Sequence, residues 1–178
     1  MNLSAVIVSF KSFHLIEKHI HAIGENHQII VVENSQDITV KKKLEKLYRN
    51  VEVVIPKSNL GYGAALNLGV KKSKNNFVLC MVADLNVNQE CFINILNIVS
   101  QFKEFSILAP TYLNEEIYKN YLIFNKELEN FERKKILSFT LKEVDDIDGA
   151  LFLINKEKFN NTSIMDENIF LYFESSDL

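Results

Sequence analysis

Asp84 closes the apolar run Phe77-Val78-Leu79-Cys80-Met81-Val82-Ala83. A carboxylate at the tip of a buried strand is a hard oxygen ligand, suited to Mg²⁺ or Mn²⁺ bridging a diphosphate. An Asp in that place is equally suited to capping the helix that follows. Glu33 closes a second run, Ile29-Ile30-Val31-Val32. Its carboxylate could accept hydrogen bonds from a nucleobase or ribose, or be an ordinary solvated loop acid. Asn59-Leu60-Gly61-Tyr62-Gly63-Ala64-Ala65-Leu66-Asn67-Leu68-Gly69 is a Gly-rich loop entering a helix. Free amides and the helix dipole there could receive phosphate, or the glycines could simply satisfy a tight connection. The block is not a Walker loop, since no Gly-Lys-Ser/Thr follows, and it does not match GxGxxG. His14, His19, His21 and His27 all lie near the first helix and are assigned no catalysis. Cys80 and Cys91 lack CxxC spacing and read as reduced thiols.

The elements that must position these residues follow from apolar spacing. Ala5-Val6-Ile7-Val8-Ser9-Phe10 is a short β-branched run that fits a buried strand. Leu15, Ile16, Ile20 and Ile23 then recur at helical spacing, with Gly24 as the stop. After the second strand and its polar loop, residues 41–48 read as helix, 51–55 as a third strand and 64–72 as another helix. The run ending at Ala83 is the fourth strand. Strands alternating with helices of this length predict right-handed βαβ crossovers and an α/β fold with a parallel sheet, with ligand at the strands' carboxyl ends. Glu33 and Asp84 both fall there. A helix carrying Cys91, Phe92, Ile95, Leu96 and Val99 leads to a fifth strand at 106–108, closed by Pro110. Residues 111–143 mix aromatics with charges and suit a mobile surface excursion near an acceptor site. A strand-like run returns at 149–154.

The 178 residues are 47% hydrophobic and 24% charged, the balance of a single globular domain. A net charge of −3 gives no general attraction for phosphate backbones, so nucleic acid is not an expected partner. The lysine clusters at 41–43, 71–72 and 134–135 read as solvated faces. Met1 to Phe10 lacks the basic leader and long apolar core of a signal peptide, and no run approaches the ~18 apolar residues of a spanning helix. A cytoplasmic location is expected. Peripheral association with the inner face of a membrane, and a homodimer, are compatible with it.

Order and spacing add more than any one residue. Ser9-Phe10, Val32-Glu33-Asn34-Ser35, the Asn59 to Gly69 block, Val82-Ala83-Asp84-Leu85-Asn86, Asp148-Gly149-Ala150, Met165-Asp166-Glu167 and Phe170 to Leu178 together resemble family 2 glycosyltransferases, notably the rhamnosyltransferase-like branch. The resemblance extends over nearly the whole chain. It implies a GT-A, Rossmann-like fold with a mostly parallel sheet flanked by helices. It also implies an inverting transferase that moves a sugar from a uridine or thymidine diphosphate sugar to a saccharide or lipid-linked acceptor, with Mg²⁺ or Mn²⁺, in bacterial surface-polysaccharide synthesis. Carried over by position, Ser9 and Glu33 belong to the donor site, Glu33 against the base. Asn59, Gly61 and Asn67 shape that site, Asp84 reaches metal and diphosphate, and Gly149 lies under the donor sugar.

The chain departs from the family pattern in three places. Glu33 replaces the usual Asp, and Val82-Ala83 leaves the first acid of the DxD-like motif absent. Ser175 stands where the family's catalytic base is usual, and a serine takes up no proton near neutral pH without help. Glu174 and Asp177 are the candidate bases instead, or helix-terminal acids. The resemblance breaks off at Leu178. The chain is therefore expected to be short of the complete domain, to bind donor, and to transfer poorly until the remainder is supplied. A sugar nucleotidyltransferase would carry a Gly-rich, basic motif after its first strand, which Ser9-Phe10-Lys11-Ser12-Phe13 lacks. A non-catalytic nucleotide-sugar-binding or partner-binding protein is the other alternative.

Overall fold

The computed structural model describes residues 2–114, 116–118, 121–122, 134–136, 139–160 and 163–170. In chain order the elements are β1 (Ser4–Ser9), α1 (Phe13–Ile23), β2 (Gln28–Glu33), α2 (Ile38–Leu47), β3 (Val51–Val54), α3 (Tyr62–Lys72), β4 (Phe77–Val82) and α4 (Gln89–Gln101). Then come the short strands β5 (Ile107–Leu108), β6 (Tyr112–Asn114), β7 (Glu116–Tyr118), β8 (Tyr121–Leu122), β9 (Lys134–Ile136), β10 (Phe139–Leu141) and β11 (Asp146–Ile147), followed by β12 (Leu151–Asn155).

One six-stranded sheet in the order β3-β2-β1-β4-β12-β5 forms the centre. β3, β2, β1 and β4 run parallel, as the alternation of strands and helices requires. β12 is antiparallel to both neighbours, β4 and β5. Its reversal is compatible with the connection: β12 is reached through residues 109–150, whose described residues form no crossover helix, so they do not impose the βαβ rule on its direction. The reversal puts the amino end of β12 beside the carboxyl end of β4, on the same edge of the sheet as the carboxyl end of β1.

The strands bury both faces, and the two-residue period divides them between two cores. Ala5, Ile7, Ile29, Val31, Leu79, Met81, Leu151 and Leu153 meet α1, α2 and α4. Val6, Val8, Ile30, Val32, Val78, Cys80, Phe152 and Ile154 meet α3, with Ile164 and Met165 closing that side. Each fully buried Ile, Leu or Val contributes about 1.5–3 kcal/mol relative to exposure. α3 lies unusually close to the sheet because Gly69 faces β1. A Cβ there would stand 2.3 Å from Val6 Cγ1.

Residues 111–143, expected as an excursion, contain two short antiparallel pairs outside the main sheet, β6 with β7 and β9 with β10. β8 pairs with β11 and ties the stretch back just before Gly149. The candidate bases Glu174 and Asp177 lie outside the described residues. No helix among the described residues is long and apolar enough to cross a membrane.

Candidate functional site

The carboxyl edge of the parallel strands collects the residues singled out in the sequence. In the β1–β2 register Ser9 is opposite Glu33, and Val8 is opposite both Val32 and Val82. Asp84 is two residues beyond Val82. The Val82 amide donates to the Ala150 carbonyl at 3.0 Å, which brings Gly149 to the same edge from β12. Both loops turn at once after their strands, with Lys11 and Gln36 at φ 56° and 60°, so Ser9 and Glu33 mark the lip of the sheet.

Glu33 is fully buried and its carboxylate gathers three donors. Ser9 Oγ donates at 2.8 Å, the Ser35 amide at 2.9 Å and Ser35 Oγ at 2.5 Å. An ionised carboxylate has about four lone-pair sites, so roughly one is left unused among the described residues. The acid thus joins the end of β1 to the loop after β2. Asn34 beside it extends the frame, its side-chain amide donating to the Gly61 carbonyl at 2.9 Å. Sequence reasoning passed over Asn34; its place in the polar cluster after β2 was the available signal.

Asp84 behaves differently. It is exposed, and among the described residues its carboxylate makes no hydrogen bond or salt bridge. Nor does it cap α4. Asn88 does, accepting from the Cys91 amide at 2.8 Å, four residues further on. The capping alternative for Asp84 is therefore removed. Just before it, the Ala83 carbonyl accepts from His19 Nε2 at 2.9 Å. A carbonyl cannot donate, so Nε2 carries the proton. The buried Nδ1 has no hydrogen-bond partner among the described residues. Burial holds the His19 pKa below the ordinary value. His19, outside any catalytic assignment, therefore anchors the strand end from which Asp84 projects.

The Gly-rich block is occupied from within. Asn59 Oδ1 accepts from the Gly61 amide at 3.0 Å, and the Tyr62 amide donates to the Phe170 carbonyl at 3.3 Å. Gly61 has φ 78°, a conformation that L side chains rarely adopt. Tyr62 Oη donates to the Gly149 carbonyl at 2.5 Å, tying α3 to the start of β12. Asn67 is buried, and its whole amide is turned onto residues 163–167. An open depression lined by Glu25, Arg49, Glu52 and Lys74 sits by the amino ends of β2 and β3 and holds none of these residues.

The residues at the edge fit a divalent cation. Hard cations such as Mg²⁺ keep several waters and take one or two carboxylates together with substrate phosphates. The exposed Asp84 carboxylate, unpaired among the described residues, stands beside a buried polar frame and suits that role. No group of three or more His, Cys, Asp or Glu side chains gathers among the described residues, so phosphate and water oxygens would complete the shell.

An α/β sheet of this order with its polar edge at the carboxyl ends is the GT-A, Rossmann-like architecture of nucleotide-sugar glycosyltransferases. The glycosyl transferase family 2 profile matches residues 4–162, and the chain belongs to that family. It is 26% identical over 183 residues to the low-salt glycan biosynthesis hexosyltransferase Agl10 of Haloferax volcanii, covering 97% of this chain and 59% of the relative. Among solved structures it superposes on TarS 1–349 of S. aureus in complex with UDP with a TM-score of 0.67 at 14% identity, covering 99% of this chain and 53% of that one. The mannosyltransferase PcManGT of Pyrobaculum calidifontis, in complex with GDP-Man and Mn²⁺, gives 0.68 at 12% identity, covering 98% and 49%. The chain thus spans about half to three-fifths of the length of these proteins.

Proposed function

We propose that this chain moves a sugar, with inversion, from a uridine or thymidine diphosphate sugar to a saccharide or lipid-linked saccharide acceptor in the assembly of a surface polysaccharide. The observation that carries the reading is the Asp84 carboxylate, exposed and without a hydrogen bond or salt bridge among the described residues, at the edge that Ser9, Glu33 and Gly149 share. Family membership supports glycosyl transfer, and the Agl10 relative is named for glycan biosynthesis. It also sets aside the sugar nucleotidyltransferase alternative. The Val-Ala-Asp strand end and the Phe170 to Leu178 segment favour the rhamnosyltransferase-like branch.

In this reading Glu33 and Ser9 frame the base, with Asn59 and Gly61 shaping the adjoining loop. Asp84 would hold Mg²⁺ or Mn²⁺, and Gly149 leaves room under the sugar. When bound, the cation supplies positive charge that offsets the charge building on the departing nucleoside diphosphate. Glu174 or Asp177 takes the proton from the acceptor hydroxyl, whose oxygen attacks the anomeric carbon as the bond to the diphosphate breaks. One displacement inverts the configuration, through a transition state of oxocarbenium character.

Calorimetric titration with UDP, dTDP and GDP, with and without Mn²⁺, tests the donor site. One nucleotide should bind in a Mn²⁺-dependent way, and Asp84→Asn should weaken it tenfold or more, since ~1.4 kcal/mol suffices for tenfold. Equal affinity and metal dependence in the two proteins would remove Asp84 from the site. Tight nucleotide binding without any glycosylated product, both from the chain alone and with any natural C-terminal extension supplied, would instead favour the non-catalytic alternative.

A further inference from the structure

Asn67 sits on α3, 4% exposed, and spends its side chain on one segment. Its Nδ2 lies 2.8 Å from the Met165 carbonyl, 3.0 Å from Ser163 Oγ and 3.1 Å from Glu167 Oε1. Its Oδ1 accepts from the Ile164 amide at 2.9 Å and from the Met165 amide at 3.1 Å. An Asn side chain has two N–H donors and two oxygen lone pairs, so nothing is left over for a ligand. Ile164 and Met165 are themselves buried in the core on the α3 side. The segment is pinned by apolar burial and by amide bonds together.

The glycines of the same block continue this contact. A Cβ on Gly61 would stand 2.2 Å from the Phe170 carbonyl oxygen, and one on Gly63 would stand 3.2 Å from Met165 Cβ. Between them the Tyr62 amide donates to the Phe170 carbonyl. From Gly61 to Asn67, then, four positions are shaped to receive residues 163–170. Two lack a side chain where the segment passes, one offers a backbone donor, and one clamps it.

We propose that Asn67 is a positioning residue that latches residues 163–170 onto α3, and does not touch the donor itself. The segment that follows carries Glu174 and Asp177. Because the latched residues run on in sequence to these candidate bases, loosening them lowers turnover while leaving nucleotide affinity alone. This consequence for turnover rests on the proposed transferase reading; the latch itself does not.

The test uses the full chain with Asn67→Ala and, from the opposite side, Gly63→Ala, whose added Cβ would press on Met165 Cβ at 3.2 Å. Hydrogen exchange is read at Ile164 and Met165, with the amides of β1, β2 and β4 as the control for an intact sheet. Affinity for UDP, dTDP and GDP with Mn²⁺ is measured beside kcat and donor KM. Faster exchange across 163–170, protected strands, nucleotide affinity within about twofold and kcat down tenfold or more are expected. Unchanged exchange with nucleotide binding tenfold weaker would overturn the proposal and put Asn67 against the donor. A loosened segment with unchanged kcat would overturn it too, as would collapse of strand protection in both variants. If the unsubstituted chain glycosylates no acceptor, exchange and affinity by themselves decide the latch. Loosening at constant affinity then upholds it, and any other result ends it.

Discussion

At Glu33 one carboxylate joins two loops that a ligand must meet together, and its own solvent exposure is nil. Its three internal donors make it a framing acid as much as a ligand. Replacing it with Gln turns one acceptor oxygen into a donor facing Ser9 or Ser35. Glu33→Gln should therefore lower stability by about 1–3 kcal/mol, the range for disturbing a buried hydrogen-bonded polar group, and weaken nucleotide binding as well. Thermal denaturation paired with calorimetry measures both. A stability loss at constant nucleotide affinity would confine Glu33 to the frame and leave the base contact to other groups. Asp84 contrasts with it in every respect, exposed where Glu33 is buried and uncommitted where Glu33 is engaged. Its substitution should change ligand affinity with little effect on folding.

Among the elements, α3 joins packing to the site. Its sheet-facing side approaches β1 through Gly69, its amino end meets Phe170 through Gly61 and Tyr62, and its buried Asn67 clamps residues 163–167. Gly69→Ala should separate α3 from Val6, because a methyl group 2.3 Å from Val6 Cγ1 forces backbone movement. Overpacking of this kind costs about 1–3 kcal/mol, read as a lower urea midpoint at constant slope. An unshifted midpoint would mean that the helix yields freely and that its closeness to the sheet has no energetic weight. The shift of α3 should also reach Asn67, two residues away on the same helix. Nucleotide binding in Gly69→Ala is a useful companion measurement.

For the molecule as a whole, two buried histidines set an acid limit on stability. His27 Nδ1 accepts from the Leu3 amide at 3.3 Å, and its ring packs edge-on against Phe92 with centroids 5.0 Å apart. Burial pushes its pKa below the ordinary value, and burial does the same to His19. Since the unfolded chain titrates near 6.5, it binds protons more readily than the folded chain just below that pH. The stabilisation is therefore complete above about pH 6.5 and is lost as pH falls from there toward the folded-state pKa values. The melting temperature should drop between pH 7.5 and 5. His27→Asn keeps an oxygen that can accept from Leu3 but cannot titrate, so its drop should be shallower. An identical pH slope in the two proteins would show that His27 is not among the groups responsible.

The sequence by itself determined the parallel strands, the helices between them, the edge at which Glu33 and Asp84 emerge, and the family. These rest on local signals, the two-residue and 3.6-residue apolar periods and short motifs, each contained in neighbouring residues. What only the tertiary structure decided depends on partners far apart in the chain. The reversal of β12 comes after a long connection with no apolar period to read. The capping role passed from Asp84 to Asn88 through the start of α4, which strand and helix composition do not place to within a few residues. The Gly-rich block was legible as a turn into a helix, but its main contact, residues 163–170, lies about 100 positions away, as the Asn67 bonds span 96 to 100 residues. A side chain's hydrogen-bonding capacity is written in its type, whereas the groups that use it up are chosen by how the chain packs.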